Sequence, residues 1–156
     1  MTKVLFVCLG NICRSPTADG VFRQLLADRD AAAHVEVDSA GTGDWHIGSG
    51  PDRRATAAAL RRGYDLSSIR SRQVTQQDFV EFDHILAMDL ANLNDLRQLC
   101  PPQHHHKLRL FLDYAAGFPE QEVPDPYYGG ADGFGHVLDL VEAASAGLLE
   151  HLQAGS

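Results

Sequence analysis

The amino-terminal segment passes from a strand pattern to a helix start within a few residues. Lys3–Val7 is a short apolar run with β-branched residues, which predicts a buried β-strand. The seven residues from Cys8 to Arg14 separate this run from Ser15-Pro16, a pair typical of a helix N-cap and first helical position. A strand that leads through so short a loop into a helix indicates an α/β fold with a mostly parallel sheet.

The rest of the chain continues the alternation of strand and helix patterns. We predict strands at Val35–Ser39, Asp83–Met88 and Lys107–Leu112, and helices at Asp52–Arg62, from the capping sequence Thr75–Asp78, after Asp89, and from Phe134 to Leu152. No repeat or linker divides the 156 residues, so we expect one domain over residues 1–156. The expected fold is a three-layer α/β structure, with helices on both faces of a four-stranded, mostly parallel twisted sheet.

The charge of the chain limits the partners that it can bind. The net charge of −8 and the pI of about 5.3 disfavour nucleic acid, whose binding relies on clustered lysine and arginine. The arginines are nevertheless uneven, because six of them fall in one segment: Arg53, Arg54, Arg61, Arg62, Arg70 and Arg72. This segment forms either a solvated helix face or a local basic rim for an anionic partner.

The cysteines and the apolar runs indicate the cellular compartment. Three cysteines, Cys8, Cys13 and Cys100, argue against a structural disulfide framework in a chain without a leader sequence. The first apolar run is too short for a signal peptide or a membrane span, and no later segment reaches membrane length. We therefore expect a cytoplasmic protein that does not associate with membranes, with secretion by a signal-independent route left open.

The loop from Cys8 to Arg14 has the properties of an anion-binding cradle. Its backbone N–H groups can curl around an anion at the positive end of the following helix, and Gly10 allows close approach. Arg14 can pair with two phosphate oxygens at once. The same field stabilises a thiolate at Cys8, and Ser15 can donate its hydroxyl to that sulfur, so Cys8 is a candidate nucleophile toward bound phosphorus.

A phosphoryl transfer also requires a group that protonates the leaving oxygen. Asp125 lies between two prolines in the loop sequence V-P-D-P-Y-Y-G-G, and these prolines restrict the backbone that carries its carboxyl group. We predict that Asp125 is this general acid. Trp45, Tyr127 and Tyr128 are candidate aromatic walls for a flat substrate.

Four segments together resemble the low-molecular-weight protein tyrosine phosphatases. They are C8-L-G-N-I-C-R-S-P16, D38-S-A-G-T42, A87-M-D89 and D125-P-Y-Y128, and the resemblance extends over nearly the whole chain. It implies a metal-free protein tyrosine phosphatase with no cofactor, in which Cys8 is the nucleophile, Arg14 binds phosphate and Asp125 is the general acid and base. The substrates would be phosphotyrosine-containing proteins, and inorganic phosphate would be released.

The resemblance also implies roles for the residues around these three. The phosphate-binding loop would comprise Leu9, Gly10, Asn11, Ile12, Cys13, Arg14 and Ser15. Asn11, Ser15 and Ser39 would support the loop, and Ser15 would steady the thiolate as a leaving group. The pocket walls would be Leu9, Ile12, Trp45, His46, Tyr127 and Tyr128, with His46 at a variable rim position.

Three positions refine this expectation. Related arginine phosphatases carry threonine at the position of Ile12, so isoleucine favours phosphotyrosine over phosphoarginine. Cys13 matches a second loop cysteine that, in some relatives, pairs with the nucleophile on oxidation, which predicts a reversible Cys8–Cys13 disulfide. Ile69 stands where many relatives have a histidine, so a supporting hydrogen bond is in doubt there.

Several alternatives can be compared on the same residues. A thioredoxin-coupled arsenate reductase needs two further, closely spaced cysteines, whereas only Cys100 lies downstream. A phosphocysteine carrier would not need Arg14 or Asp125, and a non-catalytic phosphate-binding module would typically lack Cys8 or Asp125. His104, His105 and His106 with Cys100 lack the spacing of a metal site, so none is predicted.

The identity of the partners is less constrained by the sequence. Tyr127 and Tyr128 are candidate targets of a cognate tyrosine kinase, and phosphate there would crowd the anion site. A pocket ringed by exposed aromatic side chains is compatible with a monomer or with weak self-association.

Overall fold

A computed structural model describes residues 1–126 and 131–154 of the chain. Within these residues, strands β1 Thr2–Cys8, β2 Val35–Gly41, β3 His84–Ala87 and β4 Leu108–Leu110 form one sheet in the order β2-β1-β3-β4. Every pair of neighbouring strands is parallel. The predicted four-stranded α/β sheet is therefore confirmed, and it is parallel throughout rather than mostly parallel.

Helices cover both faces of the sheet because the strands are apolar on both sides. Helices α1 (Arg14–Asp28), α2 (Arg53–Arg61) and α5 (Ala131–Ala154) pack on one face, and α3 (Gln76–Glu81) and α4 (Leu90–Leu99) pack on the other. Strand β1 alternates between the two cores. Phe6 faces α1 and α5, whereas Leu5 and Val7 face α3 and α4, and all three side chains are fully buried.

Several predicted element boundaries differ from the structure by one to three residues, and two of the differences change the role of a residue. Helix α1 begins at Arg14 with Cys13 at its N-cap, so the prediction that Ser15 caps this helix is wrong. The Ser15 side chain instead turns into the preceding loop, where it makes three hydrogen bonds. Strand β4 ends at Leu110. Phe111 and Leu112, the last two residues of the predicted strand, instead begin a short 3-10 helix, Phe111–Tyr114, that packs against α5.

Two of the six arginines in the arginine-rich segment form ion pairs with neighbouring elements. Arg62 pairs with Asp139 and Glu142 of α5, at 2.9 Å and 2.5 Å. Arg72 pairs with Asp38 and Asp78 and thereby joins β2 to the start of α3. These two side chains tie the segment to its neighbouring elements. The other four arginines of the segment are exposed, so a solvated helix face and a local basic rim both remain predictions.

The topology places Cys8 where open parallel sheets hold ligands. Strand β1 is central, and the chain adds β2 on one side of it and β3 on the other, so the direction of strand order reverses beside β1. A crevice opens at the carboxyl end of the sheet at such a point. Cys8 is the last residue of β1 and therefore lies at this crevice. None of the helices described in the structure is long and apolar enough to span a bilayer.

Candidate active site

The loop between β1 and α1 is held by hydrogen bonds to its carbonyl oxygens. The N–H groups of Thr42, Gly43 and Asp52 donate to the carbonyls of Cys8, Leu9 and Ile12, at 3.0, 2.9 and 2.8 Å. The Ser71 hydroxyl donates to the carbonyl of Gly10 at 3.0 Å, and the Thr17 hydroxyl to that of Cys13 at 2.7 Å.

The amide groups of the same loop are left available. Within the described residues, the N–H groups of Gly10, Ile12 and Cys13 donate to no protein acceptor. The carbonyl groups of these residues are bonded to surrounding elements, whereas their N–H groups remain as unpaired donors beside the N-terminus of α1. Such an arrangement is suited to an anion with several oxygen atoms.

The Cys8 sulfur lies at the base of this loop and accepts hydrogen bonds from it. The Asn11 N–H group donates to Sγ at 3.2 Å, and the Ser15 hydroxyl lies 3.0 Å from Sγ. Ser15 directs its one proton to the side-chain oxygen of Asn11 at 2.6 Å, so the Asn11 N–H group is the donor to the sulfur in this arrangement. Donors directed at a sulfur atom stabilise its thiolate form more than its thiol form.

Asn11 fixes the shape of the loop through an unusual backbone conformation. Its φ angle is 55°, in the left-handed region that few residues other than glycine adopt. The buried side-chain amide donates to the carbonyl of Ser39 at 3.4 Å. Asn11 thus contacts both of the other predicted supporting residues, Ser15 and Ser39.

The Arg14 guanidinium is almost fully buried beneath the loop. Its Nη1 atom donates to Asp89 Oδ2 at 2.6 Å and to the carbonyl of Val123 at 3.1 Å, and Nη2 lies 4.0 Å from Asp125 Oδ2. Burial opposes the charge of Arg14, but the negative charges of Cys8, Asp89 and Asp125 outweigh it, so the pKa of Arg14 is raised. Arg14 is a fixed cation between the sulfur and the Asp125 carboxylate.

The predicted catalytic residues line one open pocket of about 430 Å³. Its lining consists of Cys8, Leu9, Gly10, Ile12, Cys13, Arg14, Trp45, His46 and Asp125. The His46 ring packs against Gly10, where an added Cβ atom would lie 3.0 Å from His46 Cδ2. Trp45 covers Gly43 and is 67% exposed at the rim. Tyr127 and Tyr128, the other predicted wall residues, lie outside the described residues.

Cys13 lines the same pocket, but its thiol has different properties from an exposed cysteine. Burial, together with the negative charges of Asp52, Cys8 and Asp125, raises the pKa of Cys13 to about 12. Cys13 therefore stays protonated at neutral pH and is a weak nucleophile. The three cysteines are free and buried.

The structure identifies two supporting residues that the sequence analysis missed. Asp89 was predicted only as a helix cap, and its Oδ1 does accept a hydrogen bond from Asn92 N at 2.7 Å while Oδ2 binds Arg14. Gly41 permits β2 to approach the loop, because a Cβ atom there would lie 2.7 Å from the Leu9 carbonyl oxygen. The quoted motifs A87-M-D89 and D38-S-A-G-T42 contain both residues, but the contacts depend on distant parts of the chain.

Two other predicted features lie apart from the pocket. Ile69 packs against the core formed with α1 and α5, so its side chain contributes an apolar contact. His105 Nε2 lies 2.8 Å from the carbonyl oxygen of Cys100. Among residues 1–126 and 131–154, no group of three or more histidine, cysteine or acidic side chains is placed to hold a metal ion.

Comparison with known proteins agrees with this arrangement. The family described as low molecular weight phosphotyrosine protein phosphatase matches residues 3–156. A low molecular weight protein-tyrosine-phosphatase from Streptomyces coelicolor is 47% identical over 150 residues, which cover 94% of this chain and 91% of that protein. The chain belongs to the low molecular weight phosphotyrosine protein phosphatase family.

Solved structures show the same fold. The crystal structure of a protein tyrosine phosphatase from Entamoeba histolytica, with Hepes in its active site, is 42% identical with a TM-score of 0.96 and covers 99% of both chains. The crystal structure of a Drosophila arginine phosphatase is 32% identical with a TM-score of 0.90, and covers 97% of this chain and 98% of its own. The fold is therefore common to both kinds of phosphatase.

Proposed function

We propose that the protein hydrolyses phosphotyrosine monoesters of proteins through a cysteinyl-phosphate intermediate, without a metal ion. The observation that carries this proposal is the shared pocket of Cys8, Arg14 and Asp125, with Arg14 4.0 Å from the Asp125 carboxylate. A sulfur nucleophile, a fixed cation and a carboxyl group surround one space in which a phosphoryl group fits.

The first step transfers the phosphoryl group to the enzyme. The Cys8 thiolate attacks phosphorus, the bond from phosphorus to the tyrosyl oxygen breaks, and Asp125 in its acid form gives its proton to that oxygen. Arg14 and the unpaired loop amides stabilise the charge on the equatorial oxygens. This source of positive charge lies within the protein, which supports a metal-independent reaction.

The second step regenerates the enzyme. A water molecule attacks the phosphorus atom while Asp125, now a carboxylate, accepts a proton from it. The sulfur–phosphorus bond breaks, the electron pair returns to Cys8, and inorganic phosphate is released. Ser15, whose hydroxyl lies 3.0 Å from Sγ, stabilises the departing thiolate.

The apolar wall of the pocket supports phosphotyrosine over phosphoarginine. Ile12 and Leu9 line the pocket together with Trp45, and such surfaces favour an aromatic ring over a charged guanidinium group. Because the fold is shared with an arginine phosphatase, the turnover of phosphotyrosine and of phosphoarginine should be compared directly. An Ile12→Thr variant should lower the ratio of phosphotyrosine to phosphoarginine turnover, and an unchanged ratio would argue against a role for Ile12.

The proposal is tested by hydrolysis of para-nitrophenyl phosphate between about pH 4 and pH 8 in the presence of a chelator. We expect activity on the acidic side of neutral, abolished in Cys8→Ser and strongly reduced in Asp125→Ala. A burst of phenolate and a trapped phosphocysteine in Asp125→Ala would identify the intermediate. Folded protein that hydrolyses neither this substrate nor phosphotyrosine peptides would overturn the proposal.

A further inference from the structure

A second depression opens directly beside the catalytic pocket. It has a volume of about 280 Å³ and is lined by Leu9, Thr42, Gly43, Trp45, Asp95, Gln98 and Leu99, which we call the side groove. Leu9 and Trp45 line both the side groove and the catalytic pocket. A polypeptide with one side chain in the catalytic pocket can therefore place a neighbouring side chain across Leu9 or Trp45 into the side groove.

The side groove combines an apolar wall with a single charge. Leu9, Trp45 and Leu99 are exposed by 44%, 67% and 44%, which is unusual for large apolar side chains. Among the described residues of the lining, Asp95 is the only one with a charged side chain, and it is exposed on α4 together with Gln98. Neither Asp95 nor Gln98 makes a side-chain hydrogen bond or ion pair with any residue that the structure describes.

The catalytic pocket has a positive charge at its base and negative charges near its rim. Arg14 is a buried cation, whereas the carboxylates of Asp95 and Asp125 are exposed. Asp44, which lies between the side-groove residues Gly43 and Trp45 in the sequence, is also exposed. An anion that enters the pocket is attracted by Arg14, but anionic groups that stay at the surface meet acidic side chains. On the side of the pocket that carries Asp95 and Asp44, the surface is thus complementary to cationic groups.

We propose that the side groove binds a lysine or arginine side chain that neighbours the phosphotyrosine of the substrate; this inference rests on the proposed function. The methylene groups pack against Leu9 and Leu99, as long cationic side chains do on apolar surfaces. The charged end lies beside Asp95 and the Gln98 amide oxygen, and Trp45 offers its aromatic face to the same cation. Substrates with a basic residue next to the phosphotyrosine are therefore preferred.

The test compares phosphotyrosine peptides that differ at one flanking residue, with lysine, norleucine or glutamate placed at each flanking position in turn. For wild type we expect kcat/KM for the best-placed lysine peptide to exceed that of the norleucine peptide about threefold, as for an exposed ion pair. The glutamate peptide should be the poorest. Increasing salt concentration should reduce the preference for lysine.

Two variants of Asp95 test whether its negative charge causes the preference for lysine. In Asp95→Asn the lysine and norleucine peptides should become equal, and in Asp95→Lys the glutamate peptide should become better than the lysine peptide. Each comparison is a ratio between two peptides in the same variant, so a general effect of the Asp95 charge on phosphate entry, measured with para-nitrophenyl phosphate, cancels. Glu150→Gln is the matched control, because Glu150 is exposed on α5, on the opposite face of the sheet from α4.

The possible outcomes are distinct. Equal kcat/KM for lysine and norleucine peptides in wild type would make the side groove a purely apolar site and overturn the inference, while the proposed function would stand. A lysine preference that survives Asp95→Asn, or that Glu150→Gln abolishes equally, would assign the effect to overall charge and overturn the inference as well. Absence of turnover for every phosphotyrosine peptide would overturn the proposed function and this inference with it.

Discussion

The Arg14 guanidinium and the Asp89 carboxylate form a close ion pair, with Nη1 and Oδ2 2.6 Å apart. The Arg14 side chain is 5% exposed, and that of Asp89 is 25% exposed. Because Nη1 is also bonded to the Val123 carbonyl, two protein acceptors orient the guanidinium. Asp89 is thus a positioning residue for the cation that we propose to bind phosphate.

Replacement of Asp89 by asparagine should weaken catalysis without loss of the helix cap. The amide oxygen of the new side chain can still accept the hydrogen bond from Asn92 N, but the ion pair with Arg14 is lost. We expect kcat/KM for para-nitrophenyl phosphate to fall about tenfold, equal to about 1.4 kcal/mol of transition-state stabilisation. Glu150→Gln, which removes an exposed carboxylate of α5 away from the pocket, should leave this activity unchanged. Full activity in Asp89→Asn would show that Val123 alone is enough to position Arg14.

The left-handed conformation of Asn11 gives a prediction that separates backbone strain from side-chain contacts. Asn11→Gly and Asn11→Ala both remove the hydrogen bonds with Ser15 and Ser39, but only alanine is strained at a φ of 55°. The free energy of unfolding, measured with urea, should be about 1 kcal/mol lower for Asn11→Ala than for Asn11→Gly. Turnover of para-nitrophenyl phosphate should fall in both. Equal stabilities would mean that the loop relaxes around alanine.

The raised pKa of Cys13 makes disulfide formation with Cys8 depend on pH. Peroxide converts the Cys8 thiolate to a sulfenic acid, and the Cys13 thiolate then attacks that sulfur, forming the disulfide and releasing hydroxide, which takes a proton from solvent to become water. Since the pKa of Cys13 is about 12, its thiolate fraction rises tenfold per pH unit through the neutral range. The closure rate, measured by rapid alkylation and peptide mass mapping, should rise in the same way.

The Cys13 prediction has clear controls. Cys13→Ser should not form the crosslink and should lose activity irreversibly with excess peroxide, whereas Cys100→Ser should behave as wild type. Peroxide-treated wild type without a Cys8–Cys13 peptide would contradict the prediction of a regulatory disulfide.

The elements that local pattern determines were predictable from the sequence. The run Val4–Val7 is apolar at every position, which indicates a strand buried on both faces. Gly63, which follows the predicted helix Asp52–Arg62, has a φ of 89°, as is typical of a glycine at a helix end. The predicted catalytic residues were found from the loop sequence and from the resemblance, and the structure places Cys8, Arg14 and Asp125 around one pocket.

The remaining features depend on contacts between distant segments. Ser15 has the residue type of an N-cap, but the loop competes for its hydroxyl, and local sequence does not decide between the two partners. The sequence of Phe111–Tyr114 suits a strand or a buried helical turn equally, and packing against α5 decides. The link between Asp89 and Arg14 spans 75 positions, so no periodic pattern could reveal it.

His84 gives a prediction for the pH dependence of stability. It is half-buried at the start of β3, and its ring centre is 6.1 Å from that of His151. Burial lowers the pKa of His84 from 6.5, the charges of His151 and Arg109 lower it further, and Asp83 acts in the opposite direction. The unfolded chain therefore takes up this proton at a higher pH than the folded protein does, so the free energy of unfolding decreases as the pH falls below about 6.5.

Replacement of His84 by glutamine should remove this part of the pH dependence. Urea unfolding of wild type at about pH 7.5 and about pH 5.5 should give a lower free energy of unfolding at the acidic pH, and His84→Gln should show a smaller difference. His34→Gln is the matched control, since His34 is exposed and should leave the difference unchanged. The same difference in wild type and His84→Gln would mean that acid sensitivity arises from other groups. His151→Gln offers a further check on direction, because removal of its charge raises the pKa of His84 and should reduce the acid-induced loss of stability.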